Sequence, residues 1–176
     1  MSSWKRGRIR TLIPSLASRS NFSSYSFHHR PRAARKSGGA AIIARAGLSL
    51  KLNSNRDFST FEYMDASIHS KDQLIQCLAI YRPPYSNKNK HSTNEFIVEF
   101  SALLEDVLVR PGRLLILSDM NYHMDDPNCP EANKLRDLLD TFGLCQHVRG
   151  PTHSRSHTLD LVITRAEGHD SQDRCQ

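Results

Sequence analysis

At 176 residues the chain is long enough for one domain with a real core, and its charged (24%) and hydrophobic (38%) fractions are ordinary for a soluble protein. The net charge of +6 conceals an asymmetry: no acid precedes Asp57, residues 1–56 hold twelve Lys and Arg, and the remainder sets twelve bases against all eighteen acids. No apolar run approaches membrane-spanning length, which excludes a helical membrane protein, while a basic arm on an acidic body suits either a polyanionic partner or a solvated tail.

Residues 1–24, rich in Arg and Ser, read as a basic disordered arm; the same composition describes a mitochondrial transit peptide, so import stays open. Tyr25 to Phe27 begins a strand, His28 to Lys36 reads as a basic loop, and Ser37-Gly-Gly39 as a turn. Ala40 to Ala46 fits a strand with Ile42 and Ile43 in the core, and Leu48 to Leu52 alternates like its hairpin partner. Ser59 to Ile68 alternates with Phe61, Tyr63 and Asp65 on one face and Glu62, Met64 and Ala66 on the other. Alternation alone accounts for Glu62, so it is not nominated as a ligand. Leu74 to Tyr81 is a further strand, stopped at Arg82-Pro-Pro84 because proline cannot donate to a ladder.

A polar loop follows, and then Ser92-Thr-Asn-Glu95 forms a capping box in which the Ser92 oxygen meets the N3 amide and Glu95 reaches back. Phe96, Phe100, Leu103, Leu104, Val107 and Leu108 keep helical spacing until Pro111-Gly112. Leu114 to Leu117 reads as a strand buried on both faces, delivering Ser118, Asp119 and Asn121 to its C-terminal end, where layered α/β folds expose their chemistry. Asp119 and Asn121 offer a charge and a neutral hydrogen-bonding amide to one cleft, or merely turn the chain. A second helix runs from about Glu131 to Phe142, with Gly143 as its stop. Leu144 to Val148 is a short strand and Thr158 to Thr164 the last one; Asp160 inside it reads as a buried carboxylate in need of a partner. Residues 166–176 form a polar tail.

Cys77, Cys129, Cys145 and Cys175 form no C-x-x-C pair and follow no signal-like segment, so they read as reduced intracellular thiols. Cys145, His147, His153 and His157 match no common zinc spacing, and no metal ligand is assigned. Hairpins mixed with helical crossovers give an α+β chain whose mixed sheets pack on each other with helices outside.

YRPP (Tyr81 to Pro84), SDMN (Ser118 to Asn121), FGL (Phe142 to Leu144), PTH (Pro151 to His153) and HTLDLVIT (His157 to Thr164), in this order and spacing, resemble the endonuclease domain of LINE-type non-LTR retrotransposons, within the endonuclease/exonuclease/phosphatase superfamily. GGAAIIARAGL (Gly38 to Leu48) and FEYMDASI (Phe61 to Ile68) fit the same pattern, so the resemblance covers residues 25–165. It implies a DNase-I-like four-layer α/β/β/α sandwich of two mixed sheets, and hydrolysis of DNA phosphodiesters with Mg²⁺ or Mn²⁺. Tyr81 then matches the tyrosine that hydrogen-bonds the scissile phosphate, and Asp119 the aspartate that positions or deprotonates the attacking water. Asn121 matches the asparagine that steadies both, Thr152 a phosphate-contacting threonine, and Asp160 the aspartate that orients the catalytic histidine.

The family's early asparagine, its metal-binding glutamate and its closing Ser-Asp-His have no counterpart here, and Gly168-His-Asp170 has the residue types in another order. The resemblance therefore implies a partial domain, incomplete at both ends, with weak or lost cleavage; the alternative is a non-catalytic nucleic-acid-binding remnant. DNA is the expected partner, a nuclear location follows from it, and neither a membrane nor an oligomer is indicated.

Overall fold

The computed structural model describes residues 25–31, 39–53, 56–86 and 90–166. The expected arm, the 32–36 part of the basic loop and the tail beyond Ala166 lie outside them. Among the described residues, eight strands and two helices run in the order β1 (Tyr25–Pro31), β2 (Gly39–Arg45), β3 (Ser49–Leu52), β4 (Glu62–Ser70), β5 (Gln73–Tyr81), α1 (Thr93–Leu108), β6 (Arg113–Asp119), α2 (Pro130–Thr141), β7 (Leu144–Gln146) and β8 (Asp160–Arg165). β1 and β2 form an antiparallel pair, and the other six strands form one sheet in the order β3-β4-β5-β6-β8-β7. Within the larger sheet β5 and β6 are parallel, joined through α1, and the remaining pairs are antiparallel. The chain is α+β, and among the described residues the larger sheet alone mixes strand directions.

Strand alternation assigns the two faces. Leu78 and Ile80 of β5, Leu114 and Ile116 of β6, and Leu161 and Ile163 of β8 join Phe96, Phe100, Leu104, Ala132 and Leu135 in one core, so both helices cover the same face. The opposite face carries Met64, Ala66 and Cys77, packed under Ile42 of β2. The described layers are thus helix, sheet, sheet.

Local chemistry explains the elements. α1 begins at the capping box read from sequence: Ser92 Oγ accepts from Glu95 N (3.2 Å) and Glu95 Oε2 from Ser92 N (2.6 Å). α2 starts with Pro130 at its first position, where a missing N–H costs nothing. At the far end of α1, Arg110 reaches the buried Asp65 carboxylate at 2.5 Å, which Asn53 also contacts at 2.7 Å. Among the described residues, no helix is long and apolar enough to cross a membrane.

Several expectations need correction. β2 pairs with β1, not with Leu48 to Leu52; the turn at Gly47 (φ 99°) carries the chain from one sheet into the other, and β3 pairs with β4. His28 to Pro31 belongs to β1, because the 39–45 strand offers it a full ladder. Ile43 is 60% exposed, since alternation sends it away from Ile42. Leu117 is likewise 41% exposed, on the face opposite the helices, so the strand before Asp119 is not buried on both sides. Cys77 and Cys129 are free thiols as expected, whereas Cys145 is disulfide-bonded.

Candidate active site

Register brings the nominated residues together. Tyr81 at the end of β5 is the partner of Asp119 on β6, and Asp119 is the partner of Asp160 on β8. Three adjacent strands therefore present Tyr81, Asp119 and Asp160 as one transverse row. By parity the row lies on the face opposite the helices, alongside Ala79, Leu117 and Val162 rather than Ile80, Ser118 and Leu161. Asp160 opens its strand and is exposed, which overturns its reading as a buried carboxylate. Glu62 is the β4 partner of Tyr81, so the same row continues to a fourth strand. Strand periodicity placed Glu62 on a face but carried no information about which residue it would stand beside.

The segment after β6 is held in several ways. Asn121 has φ 52°, a left-handed conformation that Asn tolerates better than most residues. Its N–H donates to Asp119 Oδ1 (3.2 Å), and its Nδ2 donates to the Arg82 carbonyl (2.8 Å). Met120 N in turn donates to the Leu159 carbonyl (3.1 Å), tying the segment to the approach to β8.

Thr152 flanks the Asp160 end of the row. Its Oγ1 accepts from Leu159 N and Asp160 N, each at 3.0 Å, so its loop is fastened to the start of β8. Thr152 N and His153 N both donate to the His157 carbonyl (3.0 and 2.9 Å). Arg155 N donates to His153 Nδ1 (3.2 Å). His157 is anchored in turn, with Nδ1 3.2 Å from Asp125 Oδ2 and its ring stacked on His123 at 3.8 Å.

The electrostatics single out Asp119. Burial and then the charge of Asp160 push its pKa above the ordinary value, while the Asn121 N–H and the His153 charge pull the other way. Two carboxylates directly opposed on neighbouring strands repel, and the carboxyl at the centre of the row holds its proton more tightly than an isolated Asp. His153 was passed over in the sequence as part of a loop, and that loop is tied to the His157 carbonyl by the N–H groups of Thr152 and His153.

The divalent ion implied by the resemblance requires several oxygen ligands converging on one point. Among the described residues no group of three or more His, Cys, Asp or Glu converges in that way. Asp119 and Asp160 stand side by side, but the described donors do not fit a complete cation cage.

A family model described as endonuclease–reverse transcriptase matches residues 75–176, which takes in Tyr81, Asp119, Asn121, Thr152 and Asp160. No curated protein matches the sequence. Among solved structures, the endonuclease domain of TRAS1, a telomere-specific non-LTR retrotransposon, superposes with a TM-score of 0.62 at 12% identity, covering 82% of this chain and 68% of that one. D. rerio TDP2 complexed with a single-strand DNA product gives 0.56 at 12% identity, with 89% and 67% covered. The human Nocturnin catalytic domain with bound sulfate gives 0.56 at 11%, with 89% and 64% covered. At these identities the likeness establishes the fold, and the chain spans about two thirds of each of these three structures.

Proposed function

The chain belongs to the endonuclease–reverse transcriptase family, and from that premise we propose that its cleft cleaves DNA phosphodiester bonds, slowly. The observation that carries the reading is the single row of Tyr81, Asp119 and Asp160 across three strands, flanked by Asn121 and Thr152. Hydrolysis needs a base for water and donors for the charge that grows on the phosphate. Asp119 suits the base: its raised pKa makes it a better proton acceptor than a free carboxylate. Water bonds to phosphorus, its proton passes to Asp119, and the bond to the leaving oxygen breaks. Asn121 has a second Nδ2–H for a phosphate oxygen, and the Tyr81 and Thr152 hydroxyls supply further donors.

A slow rate is the reading that the donors among the described residues support. Divalent ions provide much of the charge stabilisation in phosphoryl chemistry, and two adjacent carboxylates hold one less firmly than a fuller ligand set. DNA as the substrate follows from the family and agrees with a solved relative of this fold that is described with single-strand DNA product.

The test is a plasmid-nicking assay with Mg²⁺ or Mn²⁺, run with and without chelator. The expected result is slow nicking that chelator suppresses and that Asp119→Ala abolishes. DNA binding with no cleavage under any of these ions would instead favour the non-catalytic remnant.

A further inference from the structure

We propose that Arg82 is a positioning residue for this cleft, a buried cation that holds Asp119, Met120 and Asn121 in their working conformation. The inference rests on reading Asp119 and Asn121 as the reacting groups, and it concerns a residue whose side chain points away from them. Arg82 follows Tyr81 directly, so alternation sends its side chain to the helix-bearing face, where it is 5% exposed. There the guanidinium lies 4.0 Å from the Tyr122 ring centroid and 5.3 Å from that of Phe96.

Three hydrogen bonds link Arg82 to three consecutive residues. Its backbone N–H donates to the Asp119 carbonyl (2.9 Å), and its Nη1 donates to the Met120 carbonyl (3.1 Å). Its own carbonyl accepts from Asn121 Nδ2 (2.8 Å). The chain is therefore clamped from Asp119 through the left-handed Asn121, a conformation that the surroundings must hold in place.

A charge at this position demands an explanation. Removing a guanidinium from water is costly unless it is well compensated, and among the described residues no carboxylate lies within ion-pair distance of Arg82. Burial lowers its pKa, opposed by Tyr122 and Glu131. What compensates it is two ring faces and a carbonyl that Met120 would otherwise leave buried. An aliphatic side chain would fill the same space at lower desolvation cost but leave the Met120 carbonyl without this donor. The geometry thus exchanges stability for a fixed carbonyl between the two site residues.

The experiment uses the full chain, ¹⁵N-labelled, as wild type, Arg82→Met and Arg82→Lys. It follows the Asn121 side-chain amide by NMR, assigned through Asn121→Asp, together with kcat and KM for plasmid nicking. Arg82→Met is expected to keep a cooperative melt, to shift or broaden the Asn121 amide, and to lower kcat about tenfold with KM within about twofold, the pattern of a lost transition-state arrangement. Arg82→Lys should fall between, because a single ammonium cannot span both rings and the carbonyl as the planar guanidinium does. If Arg82→Met does not fold, Arg82→Lys decides on the same readouts. An unmoved Asn121 amide in a folded variant, or a rise in KM at constant kcat, overturns the proposal. If the wild type fails to nick at all, the catalytic reading fails, whereas the Asn121 amide still decides whether Arg82 positions the segment.

Discussion

The two faces of the six-stranded sheet are built to different standards. The helix-bearing face is closed: Phe96, Phe100, Leu104, Ile116, Leu135 and Ile163 are fully buried there in one continuous cluster. The opposite face is covered by β2 over a small core of Ile42, Met64, Ala66 and Cys77. Beyond it, toward the row, Leu117 and Asp160 are exposed. Folding free energy comes mostly from burying apolar area, so the first face holds the chain together, while the second displays the row of Tyr81, Asp119 and Asp160. Arg82 joins the two, with its ring contacts on the packed side and its backbone contacts beneath the row.

That contrast is broken or sharpened by substitution. Phe100 is completely buried between Phe61 and Phe96, with ring centroids 6.1 and 5.4 Å away. Phe100→Ala should cost about 3–5 kcal/mol in chemical denaturation, the largest effect considered; a loss under about 1 kcal/mol would mean that this face is not the main core. Gly112, in the turn leading to β6, has φ 97°, and an added Cβ would sit 2.6 Å from the Leu74 carbonyl oxygen. Gly112→Ala should therefore destabilise by about 1–3 kcal/mol, through backbone strain and that clash together. On the open side, Leu117→Ser should change stability by no more than about 0.5 kcal/mol in the same denaturation experiment, because the side chain is 41% exposed.

The pH dependence separates the faces further. Asp119 has its folded pKa raised, so its contribution to stability is fully present below the unfolded carboxylate pKa and is lost as pH rises through the folded value. Above that value it is an ionised group held against burial and Asp160. Asp119→Asn should leave the melting temperature at pH 7 unchanged or higher, and the advantage over wild type should shrink toward acid. A melting temperature that falls at pH 7 would show that the ionised carboxylate is needed for folding.

Most elements were legible in the sequence because each follows from a local period or a local signal. The capping box at Ser92 and the alternation from Leu74 to Tyr81 are properties of a few neighbouring residues. What failed was long-range. The Gly47 turn looks the same whether the chain returns along β2 or crosses to the other sheet, so the partner of Leu48 to Leu52 was misassigned. Leu115 and Leu117 are apolar enough for a strand covered on both sides, but exposure depends on what lies above them. The site divides in the same way. Tyr81 and Asp119 stand at strand ends that sequence could find, whereas Asp160 was read inside a strand that it in fact opens, and their common row is a matter of register between strands distant in the chain. Arg82 looked like part of a strand stop with Pro83 and Pro84, because nothing local announces Phe96 and Tyr122 as its neighbours.

The central claim, that the open face carries the chemistry and the packed face the stability, is tested most directly by measuring Asp119→Asn for nicking and unfolding in one preparation. Nicking in Mg²⁺ or Mn²⁺ should fall by about a hundredfold or more, the scale expected when a catalytic base is removed, while the denaturation midpoint holds or rises. Nicking that survives the substitution, or that falls only in proportion to lost stability, would contradict it.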